Sequence, residues 1–95
     1  MQIKKYSQAG TFESSDILVL VEPVSEKTGR DIEIDSPVIC QFGKSMMNDI
    51  NKVLDRYEIE DIRLICKDKG ALSTTICARV ETAVLRAMEI QEGTL

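Results

Sequence analysis

Histidine and tryptophan are absent from this chain of 95 residues. Without imidazole there is no histidine general acid or base, no Ser-His or Cys-His nucleophilic pair, and little basis for a transition-metal site. Aromatic residues make up only 4%, so the core must be built from Ile, Leu, Val and Met. No apolar run is long enough to span a bilayer. Met1–Tyr6 has neither the apolar segment nor the cleavage site of a signal peptide, so the expected location is the cytoplasm. Dense Lys/Arg clusters are missing, and the net charge is −4 with a pI near 4.8. Phosphate neutralisation needs a basic patch, so a nucleic-acid partner is not expected. Mild acidity suits a small protein that docks on larger partners through charge. The three cysteines (Cys40, Cys66, Cys77) are odd in number, widely spaced and set in apolar patterns. They read as small core hydrophobes with no metal-ligand spacing, and no metal is expected.

What is present is an ordinary folding composition, 43% hydrophobic and 29% charged, sized for one domain over residues 1–95. Residues 1–7 and 91–95 are expected to fray. Residues 8–13 read as a strand, Ser14-Ser15 as a tight turn and 16–23 as a second strand. The unbroken apolar run Ile17–Val21 suits a strand covered on both faces or paired at the middle of a sheet. Pro23 ends it. After the polar loop Ser25–Arg30, Asp31-Ile32-Glu33-Ile34-Asp35 alternates as a short strand. Ser36-Pro37 is a helix start, a hydroxyl cap followed by proline at the first turn. Ile39, Phe42, Met46, Ile50, Val53 and Tyr57 then form one apolar stripe, predicting a helix over 37–57. Gly43 costs this helix about 1 kcal/mol relative to Ala and leaves room for close packing on the sheet. Residues 60–66 read as a strand with Ile62, Leu64 and Cys66 inward, and Lys67–Gly70 as a turn. A second helix is predicted over 71–89, burying Leu72, Ile76, Val80, Ala83, Val84 and Ala87. The order β-β-β-α-β-α gives an α+β fold: a two-layer sandwich with a mixed sheet of about four strands and two helices on one face.

The segment Ala9-Gly10-Thr11-Phe12-Glu13-Ser14-Ser15-Asp16 places two serines between acids at a hairpin tip. Ser and Asp are ordinary turn residues, and making the turn is one reading. The other is that a separate enzyme modifies a serine there. No base lies near in sequence to activate the hydroxyl, so catalysis by the chain itself is not expected.

This segment resembles the modification site of the citrate lyase acyl carrier family, the gamma subunits of that complex, whose pattern is close to A-G-T-x-E-S-x-D. The likeness continues at Gln41-Phe42-Gly43, at Asp68-Lys69-Gly70-Ala71-Leu72 and at Ala78-Arg79-Val80-Glu81, in the same order and spacing. The resemblance implies a non-catalytic carrier subunit. Ser14 would hold phosphoribosyl-dephospho-CoA through a phosphodiester, with Ser15, where the family pattern is variable and often glycine, as the fallback. The arm's thiol would carry acetyl, exchanged for citryl by the alpha subunit and cleaved to oxaloacetate by the beta subunit. A dedicated transferase would load the arm. Related carriers, such as that of malonate decarboxylase, and an unmodified assembly module are the alternatives.

Lys67, Lys69 and Gly70 precede the second helix. They form either a helix start capped by Asp68 or a neighbour, or a place for the arm's phosphates or a partner subunit. Arg79 and Arg86 share a helix face and are expected to make local ion pairs with Glu81 or Glu89, or to form a docking surface. Met46-Met47 reads as helix packing.

Overall fold

The computed structural model describes residues 2–88. Its elements are β1 (Ser7–Gly10), β2 (Ile17–Glu22), β3 (Arg30–Asp35), α1 (Ile39–Arg56), β4 (Ile62–Asp68) and α2 (Ser73–Ala87). The four strands form one mixed sheet in the order β1-β2-β4-β3. β1 and β2 make an antiparallel hairpin, β2 and β4 are antiparallel, and β3 and β4 are parallel with α1 as their crossover. Both helices lie on one face, α2 over β1 and β2 with α1 beside it. This is the expected α+β sandwich.

Period-two alternation decides which side chains enter the core. Ile17, Val19 and Val21 of β2 pack inward with Ala9 of β1 and with Ile62, Leu64 and Cys66 of β4. They meet Met46, Ile50, Val53 and Leu54 of α1 and Ile76, Val80, Ala83, Val84 and Ala87 of α2. Of the two readings of Ile17–Val21, the structure shows the strand at the sheet's middle. Among the described residues, only one of its faces is covered.

Several boundaries differ from the sequence reading. β4 starts at Ile62 and runs on through Lys67 and Asp68, which a polar pattern had marked as a turn. Asp68 continues the inward alternation although it is a carboxylate. It is only 2% exposed, accepts a hydrogen bond from the Ser36 hydroxyl at 2.7 Å, and accepts another from the Ala71 N–H at 2.9 Å. Those donors make its burial tolerable. α1 begins at Ile39 rather than 37 and has Val38 in the cap position without a side-chain cap bond. Ser36 instead accepts the Val38 N–H one step outside the helix. Residues 1–7 are not frayed over the described part. Ile3 is buried, and the Lys4 and Lys5 N–H groups donate to the Ala87 carbonyl at 2.9 and 3.2 Å. Residues 91–95 and the predicted end of the second helix lie outside the described residues.

The two helices run side by side in a fixed register. Ser73 donates to Asp49 at 2.7 Å, and the Tyr57 hydroxyl donates to Glu81, each pair 24 residues apart. α2 therefore starts level with Asp49, and the first ten residues of α1 project about 15 Å beyond it. This overhang explains why Ile39 and Phe42 are exposed although they obey the stripe's spacing. Leu72 is exposed as well, at 73%, being the residue before α2 rather than part of its buried face. A β-carbon on Gly43 would meet the Ile39 side chain one turn earlier, so this glycine faces its own helix and not the sheet.

The cysteines divide into three environments. Cys66 is fully buried, and burial pushes its thiol up to about 12. Cys77 is half-buried and shifted upward for the same first reason. Cys40 sits in the overhang and is exposed, so it is not a core residue. Reactivity follows thiolate fraction and access. Limited iodoacetamide treatment of the native chain should therefore label Cys40 first, Cys77 slowly and Cys66 only after denaturation, as read by peptide mass mapping.

Among the described residues, no helix is long and apolar enough to cross a membrane.

Candidate functional site: the serine turn

Six residues, Thr11–Asp16, join β1 to β2. The Asp16 N–H donates to the Glu13 carbonyl at 3.1 Å, closing a β-turn with Ser14 and Ser15 at its centre. Ser15 has φ +65° and Ser14 does not have positive φ, the pattern of a type II turn. That geometry suits glycine at the second central position. Both serines are exposed. Among the described residues, the Ser14 hydroxyl has no hydrogen-bond partner.

The turn stands on a fixed base. The Ser15 N–H donates to the Lys69 carbonyl at 2.8 Å, and the Lys69 N–H donates to the Asp16 carbonyl at 2.9 Å. These two bonds staple the hairpin tip to the connection between β4 and α2. Beneath it, the Asp16 carboxylate accepts from Arg79 Nε at 3.0 Å and Nη2 at 3.1 Å, a bidentate pair reaching from α2. It also accepts from the Thr11 hydroxyl and the Ile17 N–H, each at 2.7 Å. Gly10 closes the strand end against the Ile17 carbonyl, and Arg79 Cδ lies 3.2 Å from where its β-carbon would be.

The Arg79 guanidinium, with help from Thr11 and the Ile17 amide, holds the Asp16 carboxyl well below the usual carboxylate range; partial burial opposes the shift without overcoming it. The carboxyl thus titrates lower in the folded chain than in the unfolded one. Its contribution to stability is in full force above the ordinary value of 3.8 and drains away as pH falls below it. Arg79→Gln should lower the melting temperature at pH 7, and its gap to the parent should narrow as the pH is taken below about 4. Paired thermal melts at several pH values check this.

The residues singled out ahead of α2 are separated by the fold. Lys69 and Gly70 lie beside the serine turn, with Lys69 Nζ 4.8 Å from the centre of the exposed Phe12 ring. Lys67 is a strand residue opposite Leu18 and Asp35, on the face of the sheet away from the helices. Asp68 does not cap α2; Leu72 occupies the cap position without a side-chain bond. Arg79 does not pair with Glu81, which is taken by Tyr57 and Arg56, and Arg86 donates to the Gln8 carbonyl at 2.8 Å. Gly10, Thr11, Asp16 and Arg79 are thus the turn's supports. Only their presence in two separate family-like segments hinted that they belong together.

Comparison with known proteins gives this arrangement a family. The sequence profile described as Malonate decarboxylase delta subunit (MdcD), an acyl carrier profile, matches residues 4–87. A citrate lyase acyl carrier protein of Pectobacterium atrosepticum is 46% identical over 92 residues, 97% of this chain and 94% of the relative. The chain belongs to the citrate lyase acyl carrier protein family. Citrate lyase acyl carrier proteins of Treponema denticola and Haemophilus ducreyi are 44% and 43% identical, each over 94% of this chain, covering 99% and 90% of those relatives. Among solved structures, a chain of a Pseudomonas malonate decarboxylase hetero-tetramer in complex with malonate superposes with a TM-score of 0.74. It is 18% identical, over 92% of this chain and 88% of that one, and shares the fold. An acyl carrier role accordingly follows from membership of the citrate lyase acyl carrier family.

Proposed function

We propose that this chain, as a single carrier domain, serves a citrate lyase complex as its acyl carrier subunit, and that Ser14 is the attachment point for phosphoribosyl-dephospho-CoA. The observation that carries this reading is the exposed, unpartnered Ser14 hydroxyl on a turn held rigidly from below. A hydroxyl offered to another enzyme needs access and a fixed backbone, and both are present. Ser15 is the poorer choice. Its N–H is committed to Lys69, and its φ of +65° belongs to a position that the family pattern often fills with glycine.

The residues present fit a phosphodiester at this point. Lys69, the cation of the stapled partner loop, holds its ammonium over the Phe12 ring of the same turn, while Lys67 lies on the face of the sheet away from the helices. Asp16 is neutralised by Arg79, which removes one anion that would repel a phosphate. Bound there, the arm supplies a terminal thiol that holds the acyl group as a thioester. The chain's own residues do no bond-making; they orient the serine and keep it in solvent. Tethering replaces diffusion between active sites by an effective concentration of about millimolar when reach and span match. The partners in this reading are the acyl-exchange alpha subunit, the lyase beta subunit and the prosthetic-group transferase, in the cytoplasm, with no nucleic acid or membrane.

The test is the intact mass of the chain co-produced with that transferase, followed by peptide mapping. A gain equal to the prosthetic group on the Ser14 peptide supports the reading. An unchanged mass favours an unmodified assembly module.

A further inference from the structure

The face of the sheet opposite the helices is not built like a solvent face. In a sheet covered on one side, strands alternate apolar inward with polar outward. β2 breaks that rule: its outward positions are Leu18 and Leu20, and Ile65 of β4 is directly opposite Leu20. All three are only partly buried by this chain. Next to them, exposed Tyr6 lines a shallow groove of about 370 Å³ with Gln8, Leu20 and Glu22. The groove extends the apolar strip to the β1 edge. At the other edge, the outward row of β3 is Asp31, Glu33 and Asp35. Arg63 lies between, paired with Asp31, Glu33 and Glu22. Counting Glu22, the outward positions hold four carboxylates against Arg63 and Lys67.

We propose that this open face is a docking surface for a subunit of the enzyme complex whose own face has an apolar centre flanked by Lys and Arg opposite β3. The continuous apolar run in β2 demands a second cover, and the acidic row sets that cover's charge. A second copy of the chain is disfavoured because face-to-face pairing would set net-negative faces against each other. Docking here also leaves the serine turn, at the end of the β1–β2 hairpin, uncovered. The inference rests on the carrier reading only in taking the partner to be a subunit of that complex.

The test titrates purified chain onto the co-purified alpha and beta subunits and reads assembly by analytical ultracentrifugation. Two variants are compared with the parent: Leu20→Lys, and the double variant Glu33→Lys/Asp35→Lys, which changes only exposed positions and keeps the test alive if Leu20→Lys unfolds. Each should weaken assembly at least about tenfold. The double variant's deficit should shrink in about 0.5 M salt, where exposed charges are screened. Both should still gain the prosthetic group on Ser14, so loss of assembly and loss of loading are read separately. Assembly of both folded variants at parental affinity overturns the proposal, as does failure of the parent to bind either subunit. Self-association of the parent that Leu20→Lys abolishes would assign the face to a second copy and also overturn it.

Discussion

Ser14→Ala is expected to take up no prosthetic group when co-produced with the transferase, while melting within about 0.5 kcal/mol of the parent, the usual range for an exposed substitution away from special features. The hydroxyl it removes bonds to nothing among the described residues, so the fold has little to lose. Ser15→Gly should behave in the opposite way, retaining the full mass gain. An αL serine costs about 1–2 kcal/mol. Glycine's extra ordering entropy of about 0.5–1 kcal/mol takes back part of the gain. The net is a stabilisation of about 0.5 kcal/mol, visible as a small rise in melting temperature. Mass gain persisting in Ser14→Ala but lost in Ser14→Ala/Ser15→Ala would move the attachment to Ser15.

Among the described glycines, Gly10→Ala should be the most damaging alanine substitution, costing at least about 3 kcal/mol of the roughly 5–15 available to a small domain. Two penalties coincide. The φ of +89° is strained for any L side chain, and the added β-carbon would fall 1.9 Å from the Ile17 carbonyl oxygen, a backbone atom that cannot rotate away. Arg79 is crowded too, so the Asp16 clamp and the serine's footing should fail with the hairpin. Gly29→Ala is the internal control. It has nearly the same φ, +88°, but nothing within 4 Å of the new atom, and should cost only about 1–2 kcal/mol. Chemical denaturation of both variants measures the difference. Equal losses would mean that φ alone, and not the close approach to Ile17, sets the cost at Gly10.

Element order and the inward sets of β4 and of α2's middle were legible because burial there follows a clean period. The mistakes came where a local pattern was overruled by distant partners. Lys67-Asp68 looked like a turn because both are polar. β4 nevertheless continues because Asp68 finds Ser36 and Ala71 as donors, and Lys67 points outward. Ile39 and Phe42 kept helical spacing, yet nothing in a periodicity says how far one helix extends past its neighbour. Arg79 was read with nearby Glu81, whereas its partner Asp16 is 63 residues away. The serine itself was visible as a motif, but the clamp that steadies it is tertiary and leaves no local trace.

That separation along the chain has a consequence in time. A ribosome releases Ser14 before Lys69 and Lys69 before Arg79. Until α2 has emerged, the hairpin tip has neither its guanidinium clamp nor a packed surface beneath β1, and the edge of β2 away from β1 waits for β4. Contacts of such long sequence separation form after local ones. The serine therefore takes up its fixed geometry only once α2 has been made, and under the proposed function a transferase that reads that geometry would leave shorter nascent chains unloaded.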